Sequence, residues 1–205
     1  MNKIKIKLTS ETKLSVTGEI LYRIKAIEDI PAAGIKKGDK GGFIASLEVK
    51  GNARISGNAW VYGDAQVSDN ARVSGNARVC SDAQVYGNAL VYGNALVYGD
   101  AQVYGNARIS GNAQVSDNAR VSGNAQVSGN AIVDSLSAIL TIQVSMKYSI
   151  TVTRKHVQVG CQLFKRSEVK TMTKAKAEKL GLDSKFYEGY MGMIKSAMKL
   201  VKEKE

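Results

Sequence analysis

Residues 51–68 read Gly-Asn-Ala-Arg-Ile-Ser, Gly-Asn-Ala-Trp-Val-Tyr, Gly-Asp-Ala-Gln-Val-Ser, and this six-residue unit occurs fourteen times in succession, from Gly51 to Asp134. Every unit puts Asn or Asp second, Ala third, and Val or Ile fifth. Side chains of an extended segment alternate between its faces, so the Ala and the Val or Ile point one way and the fourth and sixth residues the other. Gly adopts positive φ freely, and Asn or Asp tolerates it better than most residues, so each Gly-Asn or Gly-Asp pair supplies a corner. A strand and a corner every six residues build a prism with three flat parallel sheets and 18 residues per coil. The fourteen units make about 4.7 coils, which at roughly 4.8 Å between stacked strands is a rod on the order of 22 Å long.

The interior of such a rod is Ala and Val almost throughout, which leaves no room for a ligand inside. Function therefore belongs to the outward positions, which a period of 18 sorts into three faces. The first carries Arg54, Arg72, Leu90, Arg108 and Gln126, and the second Trp60, Arg78, Leu96, Gln114 and Ile132. The third carries Gln66, Gln84, Gln102 and Arg120, and its glutamines are expected to hydrogen-bond up their own stack. The sixth position is mostly Ser but changes to Tyr at 62, 86, 92, 98 and 104. Tyr86, Tyr92, Tyr98 and Tyr104, with Leu90 and Leu96, form an apolar belt round the middle coils. A belt of this kind predicts a protein–protein surface, most simply between copies of the chain.

The pattern resembles the hexapeptide-repeat, left-handed parallel β-helix family. Ile55, Val61, Val67 and Val73 match that family's aliphatic slot, and Ala53 and its equivalents match its small slot. Phe43 and Val49 sit on the same register and extend the match backwards. The resemblance implies a mainly β fold, a triangular left-handed solenoid of about five coils, and a homotrimer. The layout as a whole also resembles hexapeptide-repeat proteins common in bacteriophage and prophage genomes, through LYRIKAIEDI (21–30), GDKGGFI (38–44) and HVQVGCQLF (156–164). That second resemblance implies an accessory protein of a mobile element, acting in the host bacterial cytosol, and carries no particular activity.

The flanks divide the chain into 1–38, an antiparallel β cap; 39–136, the solenoid; and 137–205, a β-hairpin with two helices. Residues 2–7 alternate apolar and basic, Thr9 to Thr12 breaks the pattern, Leu14 to Val16 resumes it, and Leu21 to Ile27 is a third strand. Gly38, Gly41 and Gly42 mark tight turns where the chain is redirected. Beyond the repeats, SAILTIQV (137–144), Tyr148–Thr153 and His156–Gly160 have strand character, with Arg154-Lys155 as a turn. Ser167 or Thr173 caps one helix ending near Gly181, and Asp183 or Ser184 caps the next. Tyr187, Tyr190, Met191, Ile194 and Met198 fall at helical spacing on that second helix, a stripe for core packing or for contact between copies.

Charge is uneven: residues 1–50 carry +4, the repeats −1, and residues 135–205 carry +8, out of a net +11. A neutral rod with basic ends suits an anionic partner. The candidate contacts are Arg54, Arg72 and Arg108 on one face, and Lys147, Arg154, Lys155, Lys165 and Arg166 downstream. Specific nucleic-acid binding is disfavoured, because the aromatics lie on the neutral rod rather than among the basic residues. The chain has no run of about 18 apolar residues, so no membrane span is expected.

Catalytic groups are sparse. Acyltransferases of the resembled family use a histidine general base, yet residues 51–134 contain no His and no inserted loop. The single His156 and the thiols of Cys80 and Cys161 make no metal set and no disulfide framework, so no cofactor or metal is expected. The expectation is a non-catalytic binding protein that engages a host protein or a small anionic ligand, with inhibition of host defence as one role. An acyltransferase-like enzyme using His156 and a rigid structural spacer are the alternatives.

Overall fold

The computed structural model describes residues 6–29, 36–45, 50–142, 149–160, 162–181 and 184–201, with the backbone alone at 184–186. The repeats form fourteen two-residue strands, from β4 (Arg54–Ile55) to β17 (Ile132–Val133). They stack on three sides as a parallel β-solenoid. Strands β4, β7 (Arg72–Val73), β10 (Leu90–Val91), β13 (Arg108–Ile109) and β16 (Gln126–Val127) make the first face. The second and third faces follow the same 18-residue register, pairing Leu96 with Arg78 and Gln114, and Gln102 with Gln84 and Arg120.

Two or three backbone bonds per unit tie each coil to the next. In the third coil, for example, Leu90 N–H donates to Ala107 C=O at 2.9 Å, Tyr92 N–H to Ile109 C=O at 2.9 Å, and Asn94 N–H to Gly111 C=O at 2.8 Å. The inward Ala and Val or Ile from Ala59 to Val133 are all 6% exposed or less. Corners turn on the first residue of the unit, where glycines hold φ of 63 to 74. Asp69, Ser81 and Asp117 replace Gly there at φ of 60, 59 and 51, and each lies against a glycine of the preceding coil, Gly51, Gly63 and Gly99.

Amide ladders run up two corners rather than up the third face. Asn52, Asn70, Asn88, Asn106 and Asn124 are joined side chain to side chain at 3.2 Å each. Asn76, Asn94, Asn112 and Asn130 form a second ladder at 3.1 Å. The expected glutamine ladder of Gln66, Gln84 and Gln102 does not form among the described residues. A short Asn side chain on a fixed corner repeats its position at each coil, whereas the longer Gln on an open face has rotamers to spare.

The N-terminal cap departs from expectation in register. Strand β1 (Ile6–Leu14) runs through Thr9–Thr12 with an irregularity between Leu8 and Thr12 instead of breaking, and pairs antiparallel with β2 (Ile20–Ala26). The third strand is β3 (Lys40–Ile44), inside the stretch expected to be turns. Gly38, at φ 99, makes the turn. Strand β3 pairs antiparallel with β2 and parallel with β5 (Trp60–Val61), so the cap continues the second face as one eight-stranded sheet. The pairs are Phe43 with Trp60 and Ile44 with Val61, an offset of one residue less than a full coil. Ile44, not Phe43, therefore enters the solenoid core, while Phe43 faces outward and is fully covered. Gly42 takes the slot that Ala fills elsewhere, because a Cβ there would lie 2.6 Å from the Ala59 carbonyl oxygen. Val49 lies outside the described residues.

The C-terminal module has four antiparallel strands and three helices rather than a hairpin and two helices. Strands β18 (Ile139–Ile142), β19 (Ile150–Thr153), β20 (His156–Val159) and β21 (Gln162–Lys165) pair in chain order. Helices α1 (Arg166–Lys170), α2 (Lys174–Lys179) and α3 (Ser184–Leu200) follow, with the Thr173 hydroxyl capping α2 as expected. The apolar stripe of α3 packs on this sheet: Tyr190, Met191, Ile194 and Met198 are 1–7% exposed in one core with Ile150, Val152, Val157 and Phe164, and Tyr187 packs against it. The sheet closes on the end of the first face. Gln126 N–H donates to Thr151 Oγ1 at 3.0 Å, Ser128 Oγ to Gln158 Oε1 at 2.7 Å, and Gln158 Nε2 to Gln126 Oε1 at 3.1 Å. No helix among the described residues is long and apolar enough to cross a membrane.

Replacing Gly42 by Ala is expected to cost about 1–3 kcal/mol, the usual range for overpacking. It would appear as a lower urea midpoint with an unchanged slope; an unchanged midpoint would mean that the cap is not seated on the first coil as described.

Candidate functional site

On the first face of the rod, exposed charge, apolar surface and a groove coincide. Arg72, Leu90 and Arg108 are direct neighbours in the parallel register of β7, β10 and β13. The Asn70–Asn124 ladder borders them, and Ser149 of the C-terminal module closes one end of a groove of about 670 Å³. Arg72 and Arg108 are exposed and have no ion-pair partner among the described residues. Arg54, lower on the same face, is less basic than an ordinary arginine because of burial and the neighbouring Arg72. Such a face attracts carboxylate or phosphate, and arginine presents a planar pair of donors to either.

The belt of tyrosines and leucines winds round the rod, so its members do not share one face. Leu90 is half-buried on the first face, and Tyr92, 41% exposed, follows at its edge. Across the corner at Gly93-Asn94, Leu96 is half-buried on the second face between Arg78 and Gln114. Tyr86 and Tyr104 lie on the opposite edge and stack on each other, with centroids 4.9 Å apart and rings 1° from parallel. Tyr98 packs with Leu96, Tyr62 and Cys80 beneath the cap. The structure thus sets Leu90 with Tyr92 on one side of a corner and Leu96 with Tyr98 on the other, and turns Tyr86 and Tyr104 away to stack on each other.

Several expected contacts are engaged within the chain. Arg154 pairs with Asp134 of the last repeat and donates to Ser135 Oγ at 3.1 Å, which ties the module to the rod. Arg166, 6% exposed, donates to the carbonyls of Thr153 and Arg154 at the hairpin turn and of Met198 and Val201 at the end of α3. Both were expected to meet an anionic partner. Instead they satisfy a carboxylate and backbone oxygens that would otherwise be buried without donors. Tyr187, Tyr190, Met191, Ile194 and Met198 are likewise occupied in the module's own core rather than offered to another copy. Lys147 and Cys161 lie outside the described residues. Lys155 and Lys165 are exposed beside His156, which opens strand β20 after the expected Arg154-Lys155 turn. Burial, then Lys155 and Lys165, hold the His156 imidazole below its ordinary value. No group of metal-ligating side chains forms among the described residues.

Sequence reasoning passed over one cluster beneath the cap. The guanidinium of Arg23 lies over Phe43 at 4.1 Å, donates to Glu11 at 2.9 Å, and reaches the Gly41 and Gly57 carbonyls at 2.9 and 3.0 Å. Arg78 lies over Trp60 at 4.9 Å. Arg23 and Lys40 hold Glu11 below the usual carboxylate range. Under this cover the Tyr62 hydroxyl meets the Cys80 thiol. Burial first, then that hydrogen bond, push Tyr62 up to about 12, and burial pushes the Cys80 thiol up as well. A raised thiol is a poor nucleophile, so Cys80 belongs to packing. The signal for the cluster was the column Tyr62, Cys80, Tyr98 at period 18.

Because Tyr62 ionises later folded than unfolded, the stability it contributes is intact below its ordinary value of 10 and is lost as pH rises toward about 12. Spectrophotometric titration should show one tyrosine ionising last, and Tyr62→Phe should remove that step. A full set of tyrosines titrating together near 10 would contradict the packing.

The YdcK β-solenoid repeat family matches the chain at residues 65–81, 83–99, 101–115 and 113–128. The first three matches begin 18 residues apart, one per coil of the solenoid. A search of curated proteins returns no match. Together the repeat match and the stacked coils support a β-solenoid repeat protein, and the match says nothing of the two ends.

Proposed function

We propose that this chain is a non-catalytic binding protein of phage accessory type, a homotrimer of the host cytosol that holds a host protein or an anionic ligand against its rod. The observation that carries the reading is the placement of Leu90 with Tyr92 and of Leu96 on the two sides of one corner. A three-fold ring uses two different surfaces of each copy, one meeting the other on the next copy. Adjacent faces of a rigid prism, with a leucine on each one unit apart, supply such a pair. Arg72 and Arg108 flank Leu90, so in this arrangement they border the contact and select an anionic group on the ligand or partner. The filled Ala and Val interior supports the same reading, because binding on the outside needs only a surface that does not deform.

Blocking or sequestering a component of host defence is the role that fits a small rigid binder of this kind. Its first test is the oligomer. Leu90→Ala combined with Leu96→Ala, measured by light scattering, is expected to reduce a three-copy mass to that of one chain while the circular dichroism stays unchanged. An unaltered mass would sink the proposal.

A further inference from the structure

The hairpin turn between β19 and β20, the strand β21 and the helix α1 enclose a niche separate from the faces of the rod. It measures about 380 Å³ and is lined by Lys155, His156, Lys165, Ser167 and Lys170, with Arg154 and Arg166 in its wall. His156 and Lys165 are direct partners in the β20–β21 register, which places an imidazole and an ammonium side by side. Two carboxylates lie outside its lining and are hydrogen-bonded elsewhere. Glu168 accepts the Lys165 backbone N–H at 2.7 Å, and Asp134 accepts from Arg154. Arg166 is spent on backbone carbonyls. Neither Lys155 nor Lys165 forms an ion pair among the described residues. His156 Nδ1 is buried and has no hydrogen-bond partner among them.

Like charges from separate elements, brought to one cavity whose lining holds no carboxylate, repel one another unless an anion lies among them. We propose that the niche binds a tetrahedral oxyanion, the phosphate of a small phosphomonoester, between Lys155 and Lys165 with His156 at its edge. Two ammonium groups balance a dianion, whereas a carboxylate ligand would leave one of them unanswered. Lysine acts at such sites as a point charge and asks for no planar geometry, which suits three equivalent phosphate oxygens. The niche shares no residue with the corner at Leu90 and Leu96, so it stands or falls apart from the trimer.

His156 is the only histidine of the chain, and its ring protons therefore report the niche in a proton NMR titration without ambiguity. The charged groups facing it are Lys155 from the turn, Lys165 from β21 and Glu168 from α1, with Arg154, Arg166 and Lys170 further round the wall. Sulfate is the probe for the titration because it stays a dianion throughout, and sodium chloride at matched ionic strength controls for screening. Millimolar sulfate is expected to raise the titration midpoint of His156 by about half a pH unit over chloride, since a nearby anion favours the imidazolium. In the double variant Lys155→Ala, Lys165→Ala the midpoint itself rises, because the cations that oppose protonation are gone, and sulfate no longer moves it. At pH held above the titration, glycerol 3-phosphate is expected to shift the same ring signals as sulfate does. Equal midpoints in sulfate and chloride would overturn the proposal. So would a sulfate response that survives in the double variant, or silence toward glycerol 3-phosphate.

Discussion

The backbone ladder between successive coils is the interaction on which everything else in this molecule depends. Each unit donates from its fourth residue to the Ala carbonyl of the next coil, as Arg54 does to Ala71 and Trp60 to Ala77, both at 2.9 Å. That spacing leaves an interior wide enough for one Ala and one Val from each side and nothing larger. It also sets the same residue types above one another on the outside, so asparagines can join into ladders and tyrosines can stack. A parallel strand of two residues is too short to persist alone; it is held because the strands before and after it on the same face hold it.

The two ends illustrate how such a stack is closed. At the N-terminus, β3 continues the ladder but needs Gly42 in place of Ala, and the β2 and β1 strands then cover what would be an open sheet edge. At the C-terminus a four-stranded sheet lies against β16, bonded through Gln126, Ser128, Thr151 and Gln158, and Arg154 adds an ion pair to Asp134. Arg166 then fixes the far end of α3 to the hairpin turn, so the module's helix, its sheet and the rod form a connected set. Binding surfaces on such a body change little in shape when a partner arrives.

Much of the fold was legible because the repeat is local. The period of six names the inward pair, the corner and, at 18, the three faces, and all of these appear in the structure. What was missed depends on pairings far apart in sequence. Phe43 sits on a period-18 register with Val61, yet a residue fewer in the connection puts Ile44 in that slot and turns Phe43 out under Arg23. The strand Gln162–Lys165 carries a weak pattern and is held by His156–Val159 beside it, which no count within 162–165 reveals. Arg154 and Arg166 look in sequence like any basic surface residue; only the folded chain shows one facing Asp134 and the other four carbonyls. At the candidate site the outward leucines and arginines were legible, but not that Leu90 and Leu96 flank a shared corner while Tyr86 and Tyr104 turn away to stack on each other.

Deleting one unit, residues 105–110, tests the central claim most directly. If the chain is held by a six-residue ladder around a uniform Ala and Val core, the remaining units close up, each moving one face round, and the protein keeps its β circular dichroism and a single cooperative melt. Removing five residues, 105–109, leaves Ser110 as one residue too many at a corner, which interrupts the ladder there and should lower the melting temperature well below that of the six-residue deletion. Equal tolerance of the two deletions, or collapse in both, would contradict the account.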